Sequence, residues 1–460
     1  MIFSMLKTLV LAAGRGTRLK SNTTKVLHKV FDKPILAWVL DGLADLDQEE
    51  LIVVCGHHSD EVKDFLHAYP VTTVDQEIPM GTGHAVMCAA HLFEDFEGSV
   101  LIVNGDSPLI RPDTLNDFVN YHQQSESQVS LLTSFLDDPT GYGRIVKRNN
   151  SIIGIKEHKD CSEAEKTIKE VNVGVYCFEW QFIKEGLGKL KSNNAQEEFY
   201  LTDLVEWAYC QGLSFNNYIL NDPNEALGVN TREDLALVYQ LKNKYSLQQL
   251  MENGVTIVDP GSTWISPDAD IGPDTTIYPG TYIQRRVTIG SNCSIGPNSV
   301  INGPVEIGSN TSVTQSQVSR SSIGDNCNVG PYAHIRDGSD IHDFVRIGNY
   351  VEVKNTNIGD TSAAAHLSYL GDAEIKSRVN IGAGTITANF NSFTGEKSQT
   401  VICNHASTGA NSVLVAPVTV EEGASVAAGS VITKNVPERM LGIARPHQET
   451  KHLPGSKQAG

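Results

Sequence analysis

From Ile265 onward an aliphatic side chain returns at every sixth residue. Ile265, Ile271, Ile277, Ile283, Ile289, Ile295, Ile301, Ile307 and Val313 follow one another without a miss. The register shortens by one residue at Val318 and again at Ile323, then resumes through Val329, Ile335, Ile341, Ile347 and Val353. Ile358, Ala364, Leu370, Ile375 and Ile381 continue it with two further slips. After an irregular stretch, Leu414, Val420, Val426 and Ile432 restore the spacing of six. This period fits neither a helix of 3.6 residues per turn nor a strand with alternating faces. It fits a parallel β-helix in which each hexapeptide forms one side of a coil. Three sides take roughly 18 residues. Ile265, Ile283 and Ile301 are therefore expected to stack in one internal column, with coils about 4.7–4.9 Å apart.

The first half obeys a different rule. Up to about Asn230, short apolar runs (TLVLAAG, ELIVVCG, VLIVNGD, VSLLTSF) alternate with helical stretches such as ILAWVLDGLADL and TLNDFVNYHQQ. That alternation predicts an α/β domain with a largely parallel sheet. Residues 231–254 read as one amphipathic helix, with Thr231 as N-cap, Glu233 and Asp234 in the first turn, and Gly254 at the end. Leu235, Val238, Leu241 and Tyr245 fall along one face. The expected organisation is an α/β domain over 1–230, a linker helix over 231–254, and a β-helix with a C-terminal tail over 255–460. A chain of 460 residues exceeds what one core usually holds.

A formal net charge of -18 argues against nucleic acid or an anionic membrane as partner. No apolar run approaches the roughly 18–20 residues of a membrane-spanning helix. Met1 to Gly14 carries a lysine, a short apolar run and small residues, as a weak secretory leader would. A buried strand entering a glycine loop explains the same residues and the GRGTR that follows; Met5 is an alternative start. The eight cysteines show no CxxC and no His/Cys spacing of a zinc site, so they read as buried thiols of a cytoplasmic protein. Against the acidic background, Arg15, Arg18, Lys20, Lys25, Lys29 and Lys33 cluster with Asp32 as the one acid among them. The cluster is either a solvated basic face or a site for a small anionic ligand.

The second possibility is favoured by what surrounds it. Leu11-Ala12-Ala13-Gly14-Arg15-Gly16-Thr17-Arg18-Leu19 follows an apolar strand, with Lys25 downstream. Glycines let backbone N–H groups approach phosphates. Arg18 and Lys25 would supply charge during an in-line displacement at an α-phosphate. The segment lacks the GK[ST] of a Walker A loop and the third glycine of the dinucleotide fingerprint. Asp106 ends the run LIVNGD, which sets a carboxylate at the carboxyl edge of the sheet, where α/β folds bind ligands. That placement suits Mg²⁺, which takes one or two protein oxygens with phosphates and waters; a turn or cap role is the alternative.

With its context, LAAGRGTR…TKVLH resembles the signature of hexose-1-phosphate nucleotidyltransferases. The likeness continues through QEIPMGTGHA (76–85), VNGD (103–106), YGRI (142–145), IKEHKD (155–160), VNVG (171–174) and GVN (228–230). The hexapeptide region resembles the left-handed β-helix of acyltransferases. Its left hand is implied by that resemblance alone, since the general preference for right-handed crossovers suggests the opposite. Over nearly the whole length, the chain resembles the bacterial family that joins N-acetylglucosamine-1-phosphate uridylyltransferase to glucosamine-1-phosphate acetyltransferase. The resemblance implies a Rossmann-like nucleotidyltransferase domain, a linker helix and a left-handed parallel β-helix. It also implies a cytoplasmic homotrimer acting on small molecules, with Mg²⁺ as metal and UTP and acetyl-CoA as co-substrates.

Roles carry over onto matching positions. The resemblance implies that Leu11, Ala12, Ala13, Gly14, Lys25, Gln76, Gly81 and Thr82 hold the nucleotide, the last three at the uracil. Gly143, Glu157, Asn172 and Asn230 match sugar-binding positions; Asp106 and Asn230 match metal ligands; Arg18 and Lys25 match catalytic cations. In AHLSYLGDAEI (365–375), His366 matches the base that frees an amine to attack a thioester, with Glu352 as a carboxylate that could orient it. Arg336, Lys354, Tyr369 and Asn380 match acceptor-binding positions, with Lys397 also on that side. Ala383, Asn389, Phe390, Lys397, Ala410, Ala428 and Arg445 match acetyl-CoA positions, the Ala383 N–H facing the thioester oxyanion. Three departures stand out: Glu197 replaces an expected glycine, Ala410 an expected serine, and Phe390 the tyrosine of NYDG, with two extra residues before Lys397. The competing readings are a nucleotidyltransferase with a β-helical scaffold and a non-catalytic regulatory subunit. AHLSYLGDAEI argues against the first; Arg18, Lys25, Asp106 and Asn230 argue against the second.

Overall fold

The computed structural model describes residues 5–14, 16–56, 60–125, 127–213 and 215–451. Arg15 of the basic cluster and the leader-like residues before Met5 lie outside them. The chain divides into two compact units, Met1–Lys242 and Asn243–Gly460.

The first unit is built on strands β1 (Met5–Ala12), β2 (Glu50–Cys55), β3 (Thr72–Asp75), β4 (Gly98–Asn104), β5 (Val129–Phe135), β6 (Arg144–Arg148), β7 (Ser151–Lys156), β8 (Glu170–Glu179) and β9 (Phe215–Ile219). Their order is β9-β5-β8-β4-β1-β2-β3, with β6 paired to β8 and β7 to β6. Neighbours along the path are parallel except at β8, which runs antiparallel to β4 and β5. The central strands are buried on both faces. Leu9 packs with Ile52, Val54 and Ile102 on one side, and Leu6 and Val10 pack with Val53 and Val103 on the other. This double burial explains why these strands read as continuous apolar runs. Helices Ile35–Leu43 and Pro112–Gln123 fall on the predicted helical stretches. β1 and β4 end side by side, and Gly105 donates its N–H to Leu11 O at 2.9 Å. The glycine loop and Asp106 therefore leave the sheet from one edge.

The second unit is a parallel β-helix whose columns follow the hexapeptide period. Ile265 pairs with Ile283, Ile283 with Ile301, and Ile301 with Val318, as expected. A second column runs Ile271, Ile289, Ile307, Ile323 and Ile341, and a third runs Ile277, Ile295, Val313, Val329 and Ile347. The one-residue slips at Val318 and Ile323 shorten coils: the pairing shifts by one residue between Asn302 and Val305, while Ile301–Val318 and Ile307–Ile323 keep their columns continuous. The corners need left-handed backbone: Asp274, Asn292, Asn310, Asn326, Phe344, Thr361, Arg378 and His405 all have positive φ along one edge. Asparagine tolerates this conformation well, whereas Phe and Thr reach it at a cost of roughly 1–2 kcal/mol each. The irregular stretch lengthens one coil, since Ile375 pairs with Ile402. Its extra residues form a small hairpin in which Phe390 bridges Lys397.

The helix Arg232–Glu252 begins as predicted. Thr231 Oγ1 accepts from Asp234 N at 3.1 Å while the Asp234 carboxylate accepts from the N–H groups of Asn230 and Thr231. The expected apolar face is only partly realised, because of Leu235, Val238, Leu241 and Tyr245 only Val238 is fully buried. Further along, Asn243, Ser246, Leu247 and Leu250 are buried instead. Asn243 donates to Thr263 O at 2.8 Å and accepts from Ile265 N at 3.0 Å, closing the first coil with a side-chain amide.

Candidate active sites

Leu11, Ala12, Ala13, Gly14, Lys25, Gln76, Gly81, Thr82 and Asp106 line one cavity of about 560 Å³, together with Thr17, Asn104 and Glu198. At its floor, Lys25 forms an ion pair with Asp106 and donates to Asn230 Oδ1 at 2.9 Å. Arg18 donates to the same oxygen at 2.8 Å. Two cations, one carboxylate and one amide from four separate segments thus meet at the strand ends. Asn230 is held there because Val229 donates its N–H to Asp106 O at 2.9 Å. Gly81 has φ 101°, and a Cβ on it would lie 2.5 Å from Phe199 O, so a side chain there would displace the loop that closes the cavity.

Of the four expected sugar-binding residues, Gly143, Glu157 and Asn172 come together, whereas Asn230 sits with Arg18 and Lys25. Asn172 N donates to Gly143 O at 2.9 Å, and the Gly143 α-carbon faces the Glu157 carboxylate and Asn172. Asn172 donates to Tyr176 Oη at 2.6 Å. Burial holds the Glu157 carboxyl above its ordinary range, partly offset by the hydroxyl of Thr202 at 3.2 Å. Asp203 is pushed up to about 6 by burial, with Glu206 adding to it. Glu197 has φ 56°, the left-handed conformation that explains an expected glycine there. Asn194 carries that turn by accepting from Gln196 N and Glu198 N, each at 3.2 Å.

On the β-helix, three coils bring Arg336, Glu352 and Tyr369 side by side. Glu352 pairs in register with Tyr369, and Arg336 donates to Glu352 Oε1 at 2.6 Å. The Tyr369 ring lies over Gly371, where a Cβ would come 2.4 Å from its hydroxyl; Lys354 pairs with Gly371. His366 ends the strand Ala363–His366 and is exposed. Its carbonyl accepts from Gly384 N at 3.3 Å, which puts Ala383 on the adjacent coil. Among the described residues no hydrogen bond joins His366 to Glu352, whose carboxylate is engaged by Arg336 instead. Asn380 stands beside Ala363 on the sheet of His366, whereas Tyr369 belongs to the other sheet.

The expected acetyl-CoA positions form a line down one edge. Asn411 N donates to Ala383 O at 2.7 Å, Gly429 N to Ala410 O at 2.8 Å, and Arg445 to Ala428 O at 2.6 Å. The hairpin carrying Asn389, Phe390 and Lys397 is tied to Asp372, which accepts from Asn389 and lies 4.0 Å from Lys397 Nζ. Sequence reasoning missed Asp372, which also accepts from Asn355 at 2.6 Å, and the contact of His84 with Gln76. Both occur within motifs already quoted, but neither residue type is diagnostic without its neighbours in space.

Residues 8–139 match the family model of the MobA-like NTP transferase domain. Residues 268–303, 286–314 and 320–355 match bacterial transferase hexapeptide (six repeats), and residues 404–434 match the hexapeptide repeat of succinyl-transferase. The bifunctional protein GlmU of Alkaliphilus metalliredigens is 43% identical over 447 residues, covering 97% of each chain. The protein of the same name from Halalkalibacterium halodurans is 43% identical over 443 residues, and that from Geobacillus thermodenitrificans is 44% identical over 443 residues; each match covers 96% of both chains.

Proposed function

Since the chain belongs to the family of bifunctional GlmU proteins, which join an acetyltransferase to a uridylyltransferase in UDP-N-acetylglucosamine synthesis, we propose that its glycine-loop pocket carries the uridylyl transfer and its β-helix the acetyl transfer. The first activity is assigned to residues 1–230 and the second to 255–460, with the helix over 231–254 between them. The amine of glucosamine 1-phosphate attacks the thioester carbonyl of acetyl-CoA. His366 takes the amine proton, the Ala383 N–H faces the oxyanion, and coenzyme A leaves as the thiol. Arg336, Lys354 and Tyr369 hold the acceptor, with the two cations suited to its phosphate. A phosphate oxygen of the product then attacks the α-phosphorus of UTP; the bond to the β-phosphate breaks and pyrophosphate departs. Arg18 and Lys25 offset the charge spread over the α-phosphate oxygens.

The observation that carries this reading is the meeting of Lys25 with both Asp106 and Asn230. The two oxygens are hard donors converging on one positive charge, a set that fits a small divalent cation. We take that cation to be Mg²⁺; when bound, it would be held by Asp106 and Asn230 and would neutralise phosphate charge.

A homotrimer is favoured by an exposed column on one corner of the β-helix. Tyr332 and Tyr350 stack with ring centres 5.3 Å apart, and Leu367 follows on the next coil, 62% exposed. A separate observation agrees. His366 and Asn380 lie on one sheet and Tyr369 on the other, as expected where a second chain completes the acceptor site. No helix among the described residues is long and apolar enough to cross a membrane, and all eight cysteines are free thiols, which supports a cytoplasmic enzyme.

Asp106→Ala tests the assignment of two separate sites. It is expected to abolish pyrophosphate release from UTP and N-acetylglucosamine 1-phosphate while leaving thiol release from acetyl-CoA intact. Loss of both activities in a folded protein would contradict it.

A further inference from the structure

Gln76 lines the nucleotide cavity yet is only 3% exposed, and its own N–H is bound to Cys55 O at 2.7 Å. Its side-chain nitrogen lies 3.0 Å from Gly81 O and 3.0 Å from His84 Nδ1. A backbone carbonyl only accepts, so the amide atom facing Gly81 is the nitrogen and not the oxygen. Its second hydrogen then points at His84, whose Nδ1 serves as acceptor. That role makes the ring neutral, with its hydrogen on Nε2. Both donors of the Gln76 amide are thereby used within the protein. The carbonyl Oε1, which makes no hydrogen bond among the described residues, is the group left to meet a base.

We propose that His84, in the first turn of the helix Thr82–Ala89, is a positioning residue that sets the nucleotide preference of the uridylyl site by holding the Gln76 amide carbonyl-first. The inference rests on the nucleotide-pocket reading above. A fixed acceptor suits the N3–H of uracil. Cytosine presents a lone pair at N3 and meets that oxygen unfavourably. With only Gly81 to hold it, the amide keeps one bond and frees its second N–H, which can then turn toward cytosine N3. A site that pairs a buried polar group with one base rejects the other strongly only while that group is held in place.

The test compares kcat/KM for UTP and CTP, each with N-acetylglucosamine 1-phosphate, in wild type, His84→Ala and His84→Asn. In His84→Ala the preference for UTP is expected to fall at least about tenfold, through a raised KM for UTP with kcat little changed. Asparagine sets its Oδ1 near the position of the imidazole Nδ1, so His84→Asn is expected to recover most of the preference. An unchanged UTP-to-CTP ratio in a folded His84→Ala variant overturns the inference, as does a uniform loss with both nucleotides, which is what a purely structural role gives. Should His84→Ala fail to fold, failure of His84→Asn to keep the preference overturns it equally. Wild-type protein without a preference for UTP would instead refute the uridylyl reading itself.

Discussion

Replacing Lys25 with methionine keeps most of the length of the side chain and removes its charge from the floor of the cavity. The Lys25 and Asp106 side chains are 10% and 20% exposed, so the variant leaves a largely buried carboxylate facing the carbonyl oxygen of Asn230. Breaking a fully buried pair costs about 3–5 kcal/mol; with a fifth of Asp106 still wet and Arg18 still on Asn230, about 2–3 kcal/mol is expected here. For a domain of this size, that lowers the melting temperature of the first unit by about 5–10 °C. Tryptophan fluorescence reads it, because Trp38, Trp180 and Trp207 lie in the first unit and only Trp264 in the second. Millimolar Mg²⁺ supplies a substitute charge and is expected to recover most of the loss. Pyrophosphate release should fall by about 10²–10³ through lost charge stabilisation, with acetyl transfer unchanged. An unaltered melting curve together with a normal rate of pyrophosphate release would refute the role of Lys25 as counter-ion and catalytic cation.

Three further outcomes are expected. His366→Ala should reduce thiol release from acetyl-CoA by about 10²–10⁴ and spare pyrophosphate release; acetylation at the normal rate would remove the assigned base. Asp203 stabilises the fold only in its protonated form, a contribution present below its unfolded value and lost as pH rises through about 6. Asp203→Asn should therefore gain about 1 kcal/mol at pH 8, after allowance for solvent screening, and less at pH 5; urea titrations at the two pH values would reveal an equal gain if the reasoning is wrong. Leu367→Glu puts a charge on the exposed corner column and should convert the proposed trimer to smaller species in light scattering, with acetyl transfer lost and uridylyl transfer kept. A trimer of unchanged mass would exclude that corner from the interface.

The β-helix could be read from sequence because its geometry has the same period as its hydrophobic pattern. Ile265, Ile283 and Ile301 had only one way to bury themselves, and the slips at Val318 and Ile323 shorten coils without breaking a column. The corners were less legible: Tyr332, Tyr350 and Leu367 adopt left-handed backbone that their residue types disfavour. In the first unit, LIVNGD and the glycine loop pointed to one sheet edge, and the structure brings Asp106, Lys25, Arg18 and Asn230 together there. Partner choice was hidden, because it depends on side chains from distant segments. Glu352 could orient His366 on paper, but Arg336 lies one coil away and engages the carboxylate. Asn243 escaped the helical pattern for a related reason, since its buried amide serves the backbone of the first coil and leaves no apolar signature.

The most direct test of the central claim is a split assay on the purified protein, following thiol release from acetyl-CoA with glucosamine 1-phosphate and, separately, pyrophosphate release from UTP with N-acetylglucosamine 1-phosphate and Mg²⁺. Activity in both halves is the predicted result, and it would show that the hairpin at Phe390 supports acetyl transfer. Pyrophosphate release without thiol release would contradict the two-site account and leave the β-helix as a scaffold.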